Sequence, residues 1–318
     1  MQEFDQGHLT LETKLKTMLP EAKNSNKANA TVLDMLTHQA RFQPWIPFYK
    51  ATLDSLNRPS THFYRTEFSD DFPIHVADRL YLRKDYNDTI INTILRSDLL
   101  PKKQYKYSDF TFILFKEYLE LHSKKSLEEL AHTNFFEPLG ANSIMYNPLR
   151  KINSNRIIPT ENDTYFRHQL VHGYVHDMAS AMQGGISGHA GLFANALDVA
   201  KVMQMYLQKG SYGGRTYISE NTFNMFNTCY FCKEGNRRGV GFDKPQLGNE
   251  GPTCGCVSLT SFGHTGFTGT MTWADPEKEI VYVFLSNRTY PDSNAANKLS
   301  KENIRENIQK VIYEAIVE

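Results

Sequence analysis

Phe262-Gly263-His264-Thr265-Gly266-Phe267-Thr268-Gly269-Thr270-Met271-Thr272-Trp273, then Asp275-Pro276-Glu277-Lys278, then Glu279-Ile280-Val281-Tyr282-Val283-Phe284-Leu285-Ser286, is the stretch whose reading decides the fold. β-Branched and aromatic residues fill both runs, and the Asp-Pro-Glu-Lys segment between them is turn chemistry. With a third short β-rich run at Gly239 to Lys244, they predict an antiparallel meander. Beyond it, Ile304, Ile308, Val311, Ile312 and Ile316 recur at helical spacing within Asn303 to Val317, which predicts an amphipathic helix laid over one sheet face.

Before Gly213 the period is helical. Helices are expected from Tyr86 to Leu95, from Phe110 to Leu121, from Ser126 to Phe136 with Pro138 and Gly140 as the stop, and from Asp198 to Lys209 with Gly210 as the stop. A shorter one should start at Thr31, whose hydroxyl can cap a turn holding Asp34, and run to His38. Glu21 to Ala30 reads as a solvated connection. Phe42 to Pro73, dense in Pro, Tyr, Phe and Trp, reads as a long packed loop shaping one cleft wall, where Trp45, Phe48 and Tyr49 could meet a ligand. The fold class is therefore α+β: an antiparallel sheet flanked by helices, plus a helical lobe. The expected organisation is one domain over 1–318, with residues 20–210 mainly helical lobe and cleft loops, and 211–318 sheet and C-terminal helix.

Composition excludes several functions. Lys plus Arg and Asp plus Glu number 35 each in 318 residues, so no basic field exists to gather nucleic acid or anionic lipid. No apolar run approaches the roughly 20 residues of a membrane helix, and Met1 to Leu9 lacks a signal pattern. Cytoplasmic localisation is expected if Met1 is the true start. Cys229, Cys232, Cys254 and Cys256 form C-x2-C and C-x-C pairs. They suit either a tetrathiolate zinc site, or loop thiols that become disulfides if the protein is exported.

Three motifs carry chemistry: Tyr107-Ser108-Asp109 before a helix, Gly184-Gly185-Ile186-Ser187-Gly188-His189-Ala190-Gly191-Leu192-Phe193, and His264-Thr265-Gly266 in the strand region. With Asp34-Met35-Leu36-Thr37-His38 they resemble the serine β-lactamase-like, penicillin-binding family: class C β-lactamases, D-alanyl-D-alanine carboxypeptidases and related esterases. The likeness is closest to the β-lactamase-like domains that follow a family 3 glycoside hydrolase module, so such a module upstream is an expected partner. The resemblance implies a β-lactamase/transpeptidase-like fold, a periplasmic or secreted location, no cofactor, and an ester, amide or D-Ala-type cell-wall peptide as substrate. It implies that Tyr107 is the acid/base partner of a nucleophilic serine and that His264 stands where better-known members carry lysine. Asp109, Thr265, Gly266 and Phe267 would bind substrate. A phenol serves as base only beside positive charge, and a peptide N–H after Gly266 is expected to meet the oxyanion. Asp109 replaces the usual Asn, losing an amide donor and adding charge.

One element of the family pattern does not occur. No serine of the chain has lysine three residues on; Ser25 is followed by Ala28, Ser108 by Thr111 and Ser187 by Ala190. The opening Met1 to Leu19 reads as a helix closing at Gly7 and the turn after it, so the expectation is a domain cut at its N-terminus, without its first strands and nucleophile helix and inactive by itself. Two alternatives stand beside this: a noncatalytic ligand-binding or accessory module, and a zinc hydrolase using His168, His172 and His176. Those histidines would share one face only if their segment were helical, and Gly173 interrupts it.

Overall fold

The computed structural model describes residues 1–246, 251–293 and 297–316. Its meander consists of strands Phe262–Thr265, Met271–Asp275 and Ile280–Phe284, antiparallel and in that order. The run from Phe262 to Trp273 is thus a hairpin in itself. Gly266 N–H donates to Thr270 O at 2.8 Å, and Gly269, at φ +99°, donates back to Gly266 O. A side chain at Gly266 would meet Thr270 Oγ1 at 2.2 Å, and the closing turn absorbs the Gly266 N–H. Gly239 to Lys244 forms no strand: it touches the sheet through one bridge, Asp243 to Gly263, and Gly241 turns it away at φ +81°.

Register places Phe262, Ala274 and Val281 in one row, and these pack with Met203 of helix Ala196–Leu207 and Phe223 of helix Glu220–Asn227. By alternation Trp273 and Tyr282 lie on the other face. Helix Ile304–Glu314 attaches there, but not by the expected stripe. Gln309 is its fully buried residue and accepts from Cys254 N–H, while Val311 is 64% exposed. The groups meeting this helix are polar: Tyr282 donates to Arg305 O and Tyr313 to Asp275 Oδ2, and these bonds set its rotation. Val317 lies outside the described residues.

The largest core joins Ile90 and Ile94 of helix Tyr86–Arg96 and Phe110, Ile113 and Leu114 of helix Phe110–Ser123 to Leu15, Met35, Tyr64, Val76 and Phe166. The aromatic-rich loop ends in an unpredicted hairpin, Ile74–Ala77 with Leu80–Leu82; Phe48 and Tyr49 are buried in the core, and Trp45 is exposed. Nor is Glu21 to Ala30 merely solvated, because Ala22, Lys27 and Ala28 are buried and Lys27 donates to Ser97 O. Thr31 caps Asp34 N–H as expected. The cysteines pair locally, Cys229 with Cys232 and Cys254 with Cys256, so the disulfide alternative is the one formed and the tetrathiolate site is not. Helices with small antiparallel sheets make this the expected α+β class. Among the described residues no helix is long and apolar enough to cross a membrane.

Candidate active site

Tyr107-Ser108-Asp109 is held by backbone and hydroxyl bonds to the segment 38–44. Lys106 N–H donates to His38 O, Ser108 N–H to His38 Nδ1 at 3.2 Å, Ser108 Oγ to Gln43 O at 2.6 Å, and Asp109 N–H to Pro44 O at 3.0 Å. Ser108 Oγ also accepts from Phe110 N–H at the start of the following helix, and among the described residues the Tyr107 hydroxyl and the Asp109 carboxyl make no hydrogen bond. His38, at φ +56°, lies 4.3 Å from the Tyr107 ring, centroid to centroid. Since its Nδ1 accepts, Nε2 carries the proton, and among the described residues it has no acceptor. Burial, then the charge of Arg238, lowers His38 to about 2, so it is neutral.

The Tyr107 and His264 rings lie 5.9 Å apart, so the first and last motifs do converge. Arg238, 1% exposed, completes the junction. Its guanidinium donates to His264 Nε2 at 3.2 Å, approaches Asp243 Oδ1 at 3.1 Å and sits 5.8 Å from the Tyr107 ring. Burial raises the Tyr107 phenol, Asp109 adds to this, and Arg238 only opposes it, so the positive charge a phenolate needs is present but outweighed. His264 is lowered by burial and by Arg238.

Asp109 faces a second constellation. One carboxylate oxygen each of Asp109 and Asp177 and a ring nitrogen of His189 all lie within 4.8 Å of one another. His189 Nε2 is 2.7 Å from Asp177 Oδ1, and its Nδ1 is 2.9 Å from Ser187 Oγ. Burial opposes the charge of His189, but Asp177 more than compensates and raises it; Asp177, likewise resisted by burial, is held low by His189. Asp109 is pushed up to about 6 by burial, against the pull of His189. Two carboxylates and an imidazole are a cation ligand set, yet both nitrogens of His189 are already engaged internally. Ser187 is 2% exposed, and a side chain on its neighbour Gly188 would strike Phe112 O at 2.4 Å, so this turn is packed onto helix Phe110–Ser123.

Of the other expected residues, Phe267 is 64% exposed, with its ring 5.0 Å from His176 and Arg288 stacked on it. Thr265 O accepts from His264 Nδ1 at 2.7 Å. Gly266 N–H closes the turn onto Thr270 O, and the N–H expected to meet an oxyanion is the next one along, that of Phe267. His168, His172 and His176 diverge: the segment Gln169–His172 is a strand, with His168 on Asn57 O, His172 on Ile157 O and His176 beside Glu161. Arg167, buried between Asp163 and Glu161, donates to Val175 O and His176 O and so fixes the chain leading into Asp177. Sequence reasoning gave no role to Arg238, His189 or Asp177, although His189 lies in the Gly-His-Ala-Gly motif and Asp177 ends the stretch Gly173-Tyr174-Val175-His176-Asp177, which resembles the same family.

The family model described as Beta-lactamase matches residues 1–303. An Escherichia coli O157:H7 protein provisionally named a D-alanyl-D-alanine carboxypeptidase is 34% identical over 222 residues, 66% of this chain and 50% of the relative. The chain thus spans about half the length of the curated relatives it matches. Among solved structures, EstCE1, a hydrolase with promiscuous acyltransferase activity, aligns at TM-score 0.60 and 16% identity, covering 96% of this chain and 80% of that one. A penicillin-binding protein homologue from Caulobacter crescentus aligns at TM-score 0.58 and 16% identity, covering 90% and 72%. With the match running over nearly its whole length, the chain belongs to the Beta-lactamase family.

Proposed function

We propose that this chain forms part of the site of a serine acyl-hydrolase acting on an ester, amide or D-Ala-type cell-wall peptide, and that it does not itself supply the nucleophile. The observation that carries the reading is the approach of Tyr107 to His264, two motifs far apart in sequence, to 5.9 Å. In such a reaction a serine oxygen adds to the substrate carbonyl, the leaving group departs with a proton, and water hydrolyses the resulting acyl-enzyme. Tyr107 would exchange the serine proton; Asp109 and Phe267 would face the substrate. The residues 1–318 would act as one unit, 20–210 and 211–318 contributing its two sides. The carboxypeptidase name of the relatives supports a peptide substrate, and two disulfides suit an oxidising, exported location.

The test is covalent. Incubated with a fluorescent penicillin or an activated ester, this chain should gain no mass, because no serine has the lysine partner. Joined to a segment supplying S-x-x-K, it should gain one acyl group. Labelling of the unmodified chain would overturn the nucleophile assignment. Saturable noncovalent binding, with no labelling even after the segment is supplied, would favour the accessory-module reading.

A further inference from the structure

We infer that Arg238 is a positioning residue: it locks His264 as the neutral Nδ1–H tautomer and is itself the cation of the His-Thr-Gly arm. The argument is one of donors and acceptors. A guanidinium has only donors, so the 3.2 Å contact from Arg238 Nη1 to His264 Nε2 requires a lone pair on Nε2. The ring proton is then on Nδ1, where Thr265 O accepts it at 2.7 Å. Both nitrogens are spoken for, and protonating Nε2 would set an imidazolium N–H against a buried guanidinium.

Every charged or titratable group facing the ring is consistent with this. From the loop before the sheet come Arg238, Arg237 and one carboxylate, Asp243, which both arginines share. From the helical side come Tyr107 and His38, both neutral. Asp243 leaves the cluster with a net positive charge even when His264 is uncharged. Arg238 is in turn fixed by Gly241 O, and its backbone by Asn236, whose amide reaches Thr37 O beside His38. The arm therefore keeps a pH-independent charge, and His264 does not serve as a carboxylate-binding cation.

This assignment rests on reading the Tyr107–His264 junction as the site, but it is measured without substrate, so its failure is distinguishable from failure of the acyl-transfer reading. The experiment is a ring-nitrogen NMR titration of the ¹⁵N-histidine-labelled full chain, with His264→Gln to assign the signal. In the unmodified protein His264 should show a protonated Nδ1 and a bare Nε2, unchanged from pH 5.5 to 8.5. Arg238→Met should move its midpoint up by at least about one pH unit and release the tautomer. An ordinary titration or an Nε2–H tautomer in the unmodified chain would overturn the inference, and this reading needs only the assigning variant His264→Gln to fold, not Arg238→Met. A folded Arg238→Met protein with unchanged His264 would do the same.

Discussion

Two buried histidines flank Asp109 and Tyr107, and the same burial leaves them in opposite states. At His264 the neighbour is Arg238, so burial and charge act together and the ring stays neutral. At His189 the neighbour is Asp177, 2.7 Å away, and its carboxylate outweighs burial and holds the ring protonated more firmly than in water. Burial fixes how much a charge matters, and the partner fixes which charge is kept. One end of the site is thus a guanidinium with a neutral imidazole, and the other an imidazolium between two carboxylates.

The largest effect should come from breaking the second end. Asp177→Asn keeps an oxygen to cap Ser180 N–H but leaves His189 buried without its counter-charge, costing on the order of 3 kcal/mol by urea denaturation. The pH window follows from the two shifts. The raised histidine contributes stability that is full below its unfolded value near 6.5 and is lost as pH rises through its folded value. The lowered Asp177 contributes stability present above about 3.9 and lost as pH falls through its own folded value. The gap between Asp177→Asn and the unmodified protein should therefore be widest between about pH 4 and 6.5. A gap that is flat from pH 3 to 9 would mean the pair is not ionic.

Asp109→Asn should act with the opposite sign. Its carboxyl is raised to about 6, so the folded chain binds that proton more tightly than the unfolded chain, and ionisation removes stability as pH climbs from about 4 to about 6. An amide cannot ionise. At pH 8 the variant should be more stable by roughly 1–3 kcal/mol, with no difference below pH 4. Asp109→Asn destabilising at pH 8 would show that the carboxylate is already satisfied by His189.

How far this contrast was legible differs between its ends. Tyr107 and His264 stand in recognisable tripeptides, and the helix and meander periods told which elements carry them. Arg238 gave no sign: nothing in Arg237-Arg238-Gly239 tells that a turn closes it onto His264, 26 residues on. His38 was visible in a motif but without a role, since its bond to Ser108 spans 70 residues. The failure at the C-terminal helix has the same cause. Its apolar spacing predicts a helix, but its rotation depends on which polar groups the sheet face presents, namely Asp275, Tyr282 and the Thr270 carbonyl. Local pattern fixes elements; long-range donors and acceptors fix which side chains face the site.

The smallest effect, and the most discriminating, concerns Ser187. Its hydroxyl, His189 and Asp177 form a serine–histidine–carboxylate chain with distances of 2.9 and 2.7 Å, the spacing a nucleophile and its base would have. Two features argue for a structural role: Ser187 is 2% exposed, and Gly188 beside it is pressed against Phe112 O, which leaves no approach for a carbonyl. If the hydroxyl merely accepts from the His189 Nδ1–H, Ser187→Ala should cost about 1 kcal/mol, the worth of one internal hydrogen bond, and leave ester or penicillin labelling unchanged at background. It should also leave the pH dependence of the Asp177 comparison intact, because the ionic partner remains. Labelling that is present in the unmodified chain and vanishes in Ser187→Ala would make this serine a nucleophile and turn the acidic end of the site from a support into its reactive centre.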